Sequence, residues 1–218
     1  MYPPKQPLKL IDCAQHGGGT ELFIVEGDSA AGAVASVCDG QTQAVLPMQG
    51  KPLNAVKAGH DKTRAFPLYV ALLDALGCGY GDACDASKVR YERIVLLMDP
   101  DADGIHCGAL MLMFCYRGLL PLLESGRVLL ALAPIASVSS ASVDQPLLPH
   151  TDAEFRNLLK QFRERGITDV QTTRYRGLAG IDLPTLAHTC LHPSTRRTRV
   201  LTTADAQEAI AVFGGGTL

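Results

Sequence analysis

The sequence predicts an α/β protein: a mostly parallel sheet flanked by helices, followed by a mainly helical or irregular C-terminal part. Three observations carry this. Leu22-Phe23-Ile24-Val25, Ile94-Val95-Leu96-Leu97-Met98 and Val128-Leu129-Leu130-Ala131-Leu132 are short, wholly apolar runs, the pattern of strands covered on both faces. Stretches with helical spacing alternate with them, as crossovers between parallel strands require. The first two runs end in acidic turns, at the carboxyl ends where open parallel sheets bind ligands.

Residues 1–20 are Pro/Gly-rich and read as an irregular lead-in. The first strand ends in Glu26-Gly27-Asp28-Ser29, where Asp28 or Ser29 is placed to cap a small-residue helix over 30–37. Ala44-Val45-Leu46 is a second short strand leading into Pro47-Met48-Gln49-Gly50-Lys51-Pro52-Leu53-Asn54. Apolar positions over 66–76 have helical spacing, and the glycines from Gly77 to Gly81 stop that helix. They lack the G-x-G-x-x-G order of a dinucleotide site, so they form a loop.

The strand over 94–98 feeds Asp99-Pro100-Asp101-Ala102-Asp103-Gly104, and a helix is expected from 105 or 108 to 123. Ser, Pro and small residues over 136–149 suggest a linker or surface insertion. The division is then a lead-in (1–20), an α/β domain (21–135), the linker (136–149) and a tail region (150–218). The tail predicts helices near 152–165, 184–190 and 205–213, an irregular basic stretch, and a frayed glycine ending at 214–216.

Composition bounds the function. With 218 residues, 47% hydrophobic and 19% charged, the chain can bury one sizeable core. A net charge of −2 excludes nucleic-acid binding by bulk charge, leaving only a local patch. Seven scattered cysteines without a C-x-x-C pair argue against a disulfide framework or zinc ribbon and for reduced thiols in the cytoplasm. The N-terminus has no apolar signal core, and the apolar region 105–123 is broken by His106, Arg117 and Pro121, so no membrane span is expected.

The chemistry concentrates in the Asp loop. Three carboxylates at every second position of an extended backbone can face one side, where they repel one another unless a cation compensates them. Hard oxygen ligands point to Mg²⁺. A solvated Asp/Gly turn is the bland alternative. A calcium loop of the EF-hand type fails, because its twelfth position is Leu110 and a β-branched apolar run precedes it. Glu26 at one strand end and Asp99, Asp101 and Asp103 at another can converge on one or two Mg²⁺ ions, the arrangement that flanks a phosphodiester. Crowding can raise the Glu26 pKa and make it a general acid or base, and Lys51 can hold a phosphate as a point charge. Residues 160–199 carry eight Lys/Arg, among them Arg174, Arg176, Arg196 and Arg197, against three acids. A run of this kind is either a solvated face or a nucleic-acid contact.

Glu-Gly-Asp-Ser-Ala (26–30), Pro-Met-Gln-Gly-Lys-Pro-Leu-Asn (47–54) and Asp-x-Asp-x-Asp-Gly (99–104) together resemble the TOPRIM domain, a Rossmann-like fold, of bacterial type II topoisomerase B subunits, those of DNA gyrase and topoisomerase IV. Asp12-Cys13, Ala75-Leu76-Gly77-Cys78-Gly79, Tyr116-Arg117, Gly126-Arg127-Val128, Arg174-Tyr175-Arg176-Gly177-Leu178 and Ser194-Thr195-Arg196-Arg197 extend the likeness over about 8–203. The resemblance implies Glu26, Asp99, Asp101 and Asp103 as magnesium ligands, Glu26 also as acid/base, and Asp28, Lys51 and Asn54 around a DNA cleavage site. It implies double-stranded DNA and a topoisomerase A subunit, which supplies the nucleophilic tyrosine, as partners. Arg90-Tyr91 and Arg174-Tyr175 match ordinary B-subunit segments and are not expected to be nucleophiles.

The chain also departs from that family. An ATPase and a transducer domain do not fit before Leu22, so ATP is not expected to bind this chain, and a separate chain carrying the ATPase becomes a candidate partner. The family's Tyr-Lys-Gly-Leu-Gly-Glu reads Tyr175-Arg176-Gly177-Leu178-Ala179-Gly180 here, His192-Pro193 replaces Asp-Pro, and Pro100 and Ala31 are further differences. A non-catalytic module binding Mg²⁺, DNA or the A subunit, and a stand-alone TOPRIM nuclease, are the alternatives.

Overall fold

The computed structural model describes residues 10–214. Residues 1–9 of the lead-in and the glycines at 215 and 216 lie outside the described residues. Strands β1 (Gly17–Glu26), β2 (Gln43–Met48), β3 (Tyr91–Leu97) and β4 (Val128–Ala131) form a parallel sheet in the order β2-β1-β3-β4. Helices α1 (Gly27–Ala35), α2 (His60–Arg64), α3 (Pro67–Leu76), α4 (Ala102–Gly118) and α5 (Leu120–Glu124) make the crossovers. The α/β prediction holds, and the apolar runs are the strand interiors.

Side chains alternate across the sheet. Leu22, Ile24, Ile94 and Leu96 pack on one face with α3 and α4, while Phe23, Val25, Val95 and Leu97 pack on the other with α1. Both faces are therefore dry, which is why these strands read as continuous apolar runs.

From β1 the chain crosses in one direction to β2, and from β3 in the other to β4. Beyond the carboxyl ends of β1 and β3, where the order switches, such sheets open a crevice. Val25 pairs with Leu97, so Glu26 and the Asp loop emerge side by side at that crevice.

Several boundaries differ from expectation. Helix α1 starts at Gly27 directly after β1, with Glu26 in the cap position and no side-chain cap bond, so neither Asp28 nor Ser29 caps it. Gly27 has φ +64, a torsion that favours glycine and permits the abrupt turn from strand to helix. Helix α4 starts three or more residues early, because the Asp101 side chain accepts the Gly104 N–H and caps it.

The stretch 136–149 is more than a linker. It opens with β5 (Ala136–Ser139), whose Ala136 and Val138 are buried and which pairs antiparallel with β6 (Gln171–Arg174). The basic stretch expected to be irregular contains β6 and β7 (Thr198–Val200), and β7 adds an antiparallel edge to the main sheet beside β4. Helix α6 (Asp152–Glu164), a short α7 (Leu183–Leu186) that continues as a π-helical turn, and α8 (Thr203–Phe213) match the predicted tail helices. No helix among the described residues is long and apolar enough to cross a membrane, and all seven cysteines are free.

Candidate metal centre

Glu26 closes β1, Asp99 lies two residues past β3, Asp101 caps α4, and Asp103 sits in its first turn. The picture of three carboxylates on one extended backbone therefore holds only to Asp101; the helix cap it forms turns the chain, and Asp103 projects from a helix.

Each aspartate uses one oxygen on a donor. Asp99 Oδ1 accepts the Leu178 N–H at 2.8 Å, Asp101 Oδ1 the Gly104 N–H at 2.8 Å, and Asp103 Oδ1 the Lys51 Nζ at 2.9 Å. Their second oxygens have no hydrogen-bond partner among the described residues. Lys51 also lies 3.2 Å from His106 Nδ1. Glu26 Oε1 is buried with no hydrogen-bond partner among the described residues, a costly condition for a carboxylate.

The electrostatics follow from this placement. Burial pushes the Glu26 carboxyl up, and Asp99, Asp101 and Asp103 add repulsion, against a partial offset from the Asp99 backbone N–H. Burial likewise pushes Asp99 up, with the Leu178 hydrogen bond pulling it down and Asp101 pushing it further up. Asp103 goes the other way, held down by its hydrogen bond to Lys51, which in turn holds the ammonium up.

Gly104 is the hinge of the packing. A Cβ there would lie 2.0 Å from the Asp99 carbonyl oxygen and 2.9 Å from Glu26 Oε1. Only a residue without a side chain lets the start of α4 close onto both acids. A cleft of about 440 Å³ opens beside Glu26, Gly50, Lys51 and Asp103. A second cavity of about 480 Å³, largely apolar, lies on the far side of the Asp loop against α4 and α8. An orphaned buried Glu26 oxygen, a cradle that excludes a side chain and an all-oxygen donor set fit a hard divalent ion such as Mg²⁺.

The four carboxylates are near one another but not gathered: no three of them bring ligand atoms within 4.8 Å of each other. The one trio among the described residues that does so is Asp12, Cys13 and His16. There Arg90 occupies the cation's place, with Nη2 2.6 Å from Asp12 Oδ2 and 2.7 Å from His16 Nε2. Tyr91 is fully buried and donates to Asp12 Oδ1 at 2.6 Å. Burial pushes the Asp12 carboxyl up, but the Tyr91 and Arg90 hydrogen bonds outweigh it and hold the group down at about 2. That cluster is a strut between the lead-in and β3.

Other candidate residues fall elsewhere. Asp28 is exposed in the first turn of α1, near the cleft. Asn54 spends its side chain on backbone: its Oδ1 accepts the Val56 and Lys57 N–H groups, and its amide donates to the Phe213 carbonyl at 3.2 Å, tying the loop to α8.

The basic tail is largely neutralised. Arg174 pairs with Asp152 at 2.8 Å and lies over Phe155, and Arg197 forks onto Glu154 at 3.1 and 3.2 Å. Arg196 requires correction as a DNA contact. Its guanidinium is buried and forks onto Glu21, which Gln43 also binds, so its charge is spent inside the protein. Arg176 alone of the four is exposed without an ion pair among the described residues. Sequence reasoning missed Gly104 as a packing requirement, although its place after the third Asp was a visible signal. It also missed the Leu178 N–H on Asp99, for which no local signal exists.

The family model described as the Toprim domain matches residues 21–131, half of the chain. The chain is 38% identical over 208 residues to the DNA gyrase B subunit of Thermotoga maritima, 39% over 211 residues to that of Streptococcus pneumoniae, and 38% over 208 residues to that of Halalkalibacterium halodurans. Each alignment covers 95% of this chain and 32% of the relative, so the chain spans about a third of the length of these proteins.

Proposed function

The chain belongs to the Toprim family, and from that premise we propose that it is the metal-binding portion of a type II DNA topoisomerase B subunit of the gyrase or topoisomerase IV kind. It acts in cleavage and religation of double-stranded DNA with an A subunit that brings the tyrosine. The observation that carries this reading is the buried, unpartnered Glu26 Oε1 facing an acidic loop at the crevice between β1 and β3.

Glu26, Asp99, Asp101 and Asp103 would hold the ion. Mg²⁺ bound there supplies the positive charge that stabilises the attacking and leaving oxygens of an in-line displacement at phosphorus. Glu26, whose carboxyl burial raises in the metal-free cleft, is the acid/base candidate of the four: with the ion on the aspartates it would hold a proton for the leaving sugar oxygen and take it back on religation. Lys51, which lines the same cleft, offers its ammonium to a phosphate. Asp28 and Arg176 extend the contact surface around that cleft and along the tail.

The test mixes the chain with a gyrase or topoisomerase IV A subunit, Mg²⁺ and supercoiled DNA. Wild type should yield Mg²⁺-dependent cleavage complexes, and Asp101→Asn should reduce them at least tenfold; equal yields would end the reading. The altered tail at Ala179-Gly180 motivates one alternative, a module that binds the A subunit or DNA without cleaving. Complex formation with no gain in cleavage would select it.

A further inference from the structure

Of the four acids, Asp99 is the one whose hydrogen-bond partner comes from the distant tail. Leu178 is fully buried among Ala30, Ala31 and Val34 of α1, which anchors the tail at that point. Its N–H, 79 positions along the chain from Asp99, donates to Asp99 Oδ1 at 2.8 Å. Gly177 lies so close that a Cβ on it would stand 3.0 Å from Asp99 Oδ2 and 3.2 Å from Cγ. Its φ of 177 is ordinary extended backbone, so what glycine contributes there is its missing side chain: a Cβ would press on the Asp99 carboxylate and shift it.

We propose that Gly177 and Leu178 are positioning residues for Asp99: the tail amide fixes the rotation of the carboxylate and the bare glycine leaves Oδ2 free for the cation. This rests on the Mg²⁺ reading above and deepens it. A carboxylate on a loop is otherwise free to rotate, and outer partners of this kind hold ligating groups in register. Two effects oppose each other. The N–H draws charge from Oδ1 and weakens it as a ligand, while preorganisation favours Oδ2; since one oxygen suffices for a monodentate carboxylate, preorganisation dominates. The contact uses only backbone and an absent side chain. The change to Ala179-Gly180 in the neighbouring tail therefore leaves it intact.

The test is an Mg²⁺ titration of the full 218-residue chain by calorimetry, with Mn²⁺ binding by paramagnetic resonance as a second readout. Replacing Leu178 by its α-hydroxy acid exchanges the N–H for an ester oxygen and keeps the side chain. The expected result is roughly tenfold weaker binding, the scale of losing an outer partner, with the chain still folded in EDTA and its melting temperature lowered only by the loss of one hydrogen bond to Asp99. Gly177→Ala should act in the same direction. In an Asp99→Asn background neither change should weaken binding further, a non-additivity that a merely structural role would not produce. Unchanged or tighter binding in the ester variant, or an equal loss in the Asp99→Asn background, overturns the inference. If the ester variant does not fold, Gly177→Ala decides on the same two criteria. Wild type and Asp101→Asn binding Mg²⁺ equally weakly would overturn the metal reading itself, and this inference with it.

Discussion

Arg196 and Glu21 form a buried fork, with Nη1 2.6 Å from Oε2 and both side chains at least 95% out of solvent. The pair joins the tail to β1, and Gln43 and the Leu191 carbonyl satisfy further atoms of it. Removing Arg196 leaves the buried Glu21 charge with only the Gln43 amide and the half-exposed Arg93 guanidinium, 3.8 Å away. Arg196→Ala is expected to cost about 3–5 kcal/mol, measured by urea unfolding, whereas Arg197→Ala, at an exposed pair, should cost at most about 1 kcal/mol. Equal effects would contradict this assignment.

Of Arg174, Arg176, Arg196 and Arg197, Arg176 is the one with charge to spare. Each phosphate neutralised on duplex DNA contributes about 0.9 to the slope of log affinity against log salt. Arg176→Ala should therefore reduce that slope by about one unit without changing sequence preference, in fluorescence anisotropy with duplex DNA. Arg197→Ala should leave the slope nearly unchanged. A slope insensitive to Arg176 removes that residue from the DNA interface.

The division between what was legible in the sequence and what was not follows burial and distance along the chain. Strands β1, β3 and β4 are covered on both faces, so their apolar runs announce them. Strand β6 is exposed along all of Gln171–Arg174 and has neither alternation nor hydrophobicity to betray it. The start of α4 was hidden because Asp101, Ala102 and Asp103 read as a turn until the Gly104 N–H makes Asp101 a cap. Glu26 and the Asp loop could be joined through strand order alone. The partners of Arg196 and Asp99 could not, since Glu21 and Leu178 lie 175 and 79 residues away.

Gly104 should tolerate no side chain. The atom that a Cβ meets first, at 2.0 Å, is the Asp99 backbone oxygen, which cannot swing aside as a flexible side chain would. Gly104→Ala is expected to destabilise by about 1–3 kcal/mol and to weaken Mg²⁺ binding in the same preparation. Normal stability together with normal Mg²⁺ affinity would mean that the helix start does not need to close on Glu26 and Asp99.

Lys51 and a divalent ion compete for Asp103. The ammonium is 2.9 Å from Oδ1, and both groups are substantially exposed, so solvent screens the pair. Lys51→Ala should tighten Mg²⁺ binding roughly two- to fivefold, the scale of a screened charge pair, while lowering DNA cleavage with the A subunit because the phosphate then has no ammonium to meet. The opposite movement of the two readouts is diagnostic. A parallel loss of both would place Lys51 in the metal site rather than against the phosphate.

The raised carboxyls of Glu26 and Asp99 set the sign of a pH effect. In the folded chain they keep their protons to higher pH than in the unfolded chain. Folding therefore takes up protons in that interval, and stability falls as pH rises through the folded values. The contribution is complete below the ordinary values of 4.5 for Glu and 3.8 for Asp. Asp12 acts oppositely, losing its contribution only as pH drops from 3.8 toward about 2. In EDTA the melting temperature should decline as pH is raised from about 4.5 through the raised Glu26 value. Glu26→Gln should flatten that decline and gain about 1 kcal/mol at neutral pH by removing a buried unpaired charge. Excess Mg²⁺ should flatten it in wild type, since a cation favours the ionised form, and should have a smaller effect on Glu26→Gln, where Asp99 is the raised carboxyl that remains. Matching profiles for the two proteins in EDTA would show that Glu26 ionises in the folded chain as freely as in water.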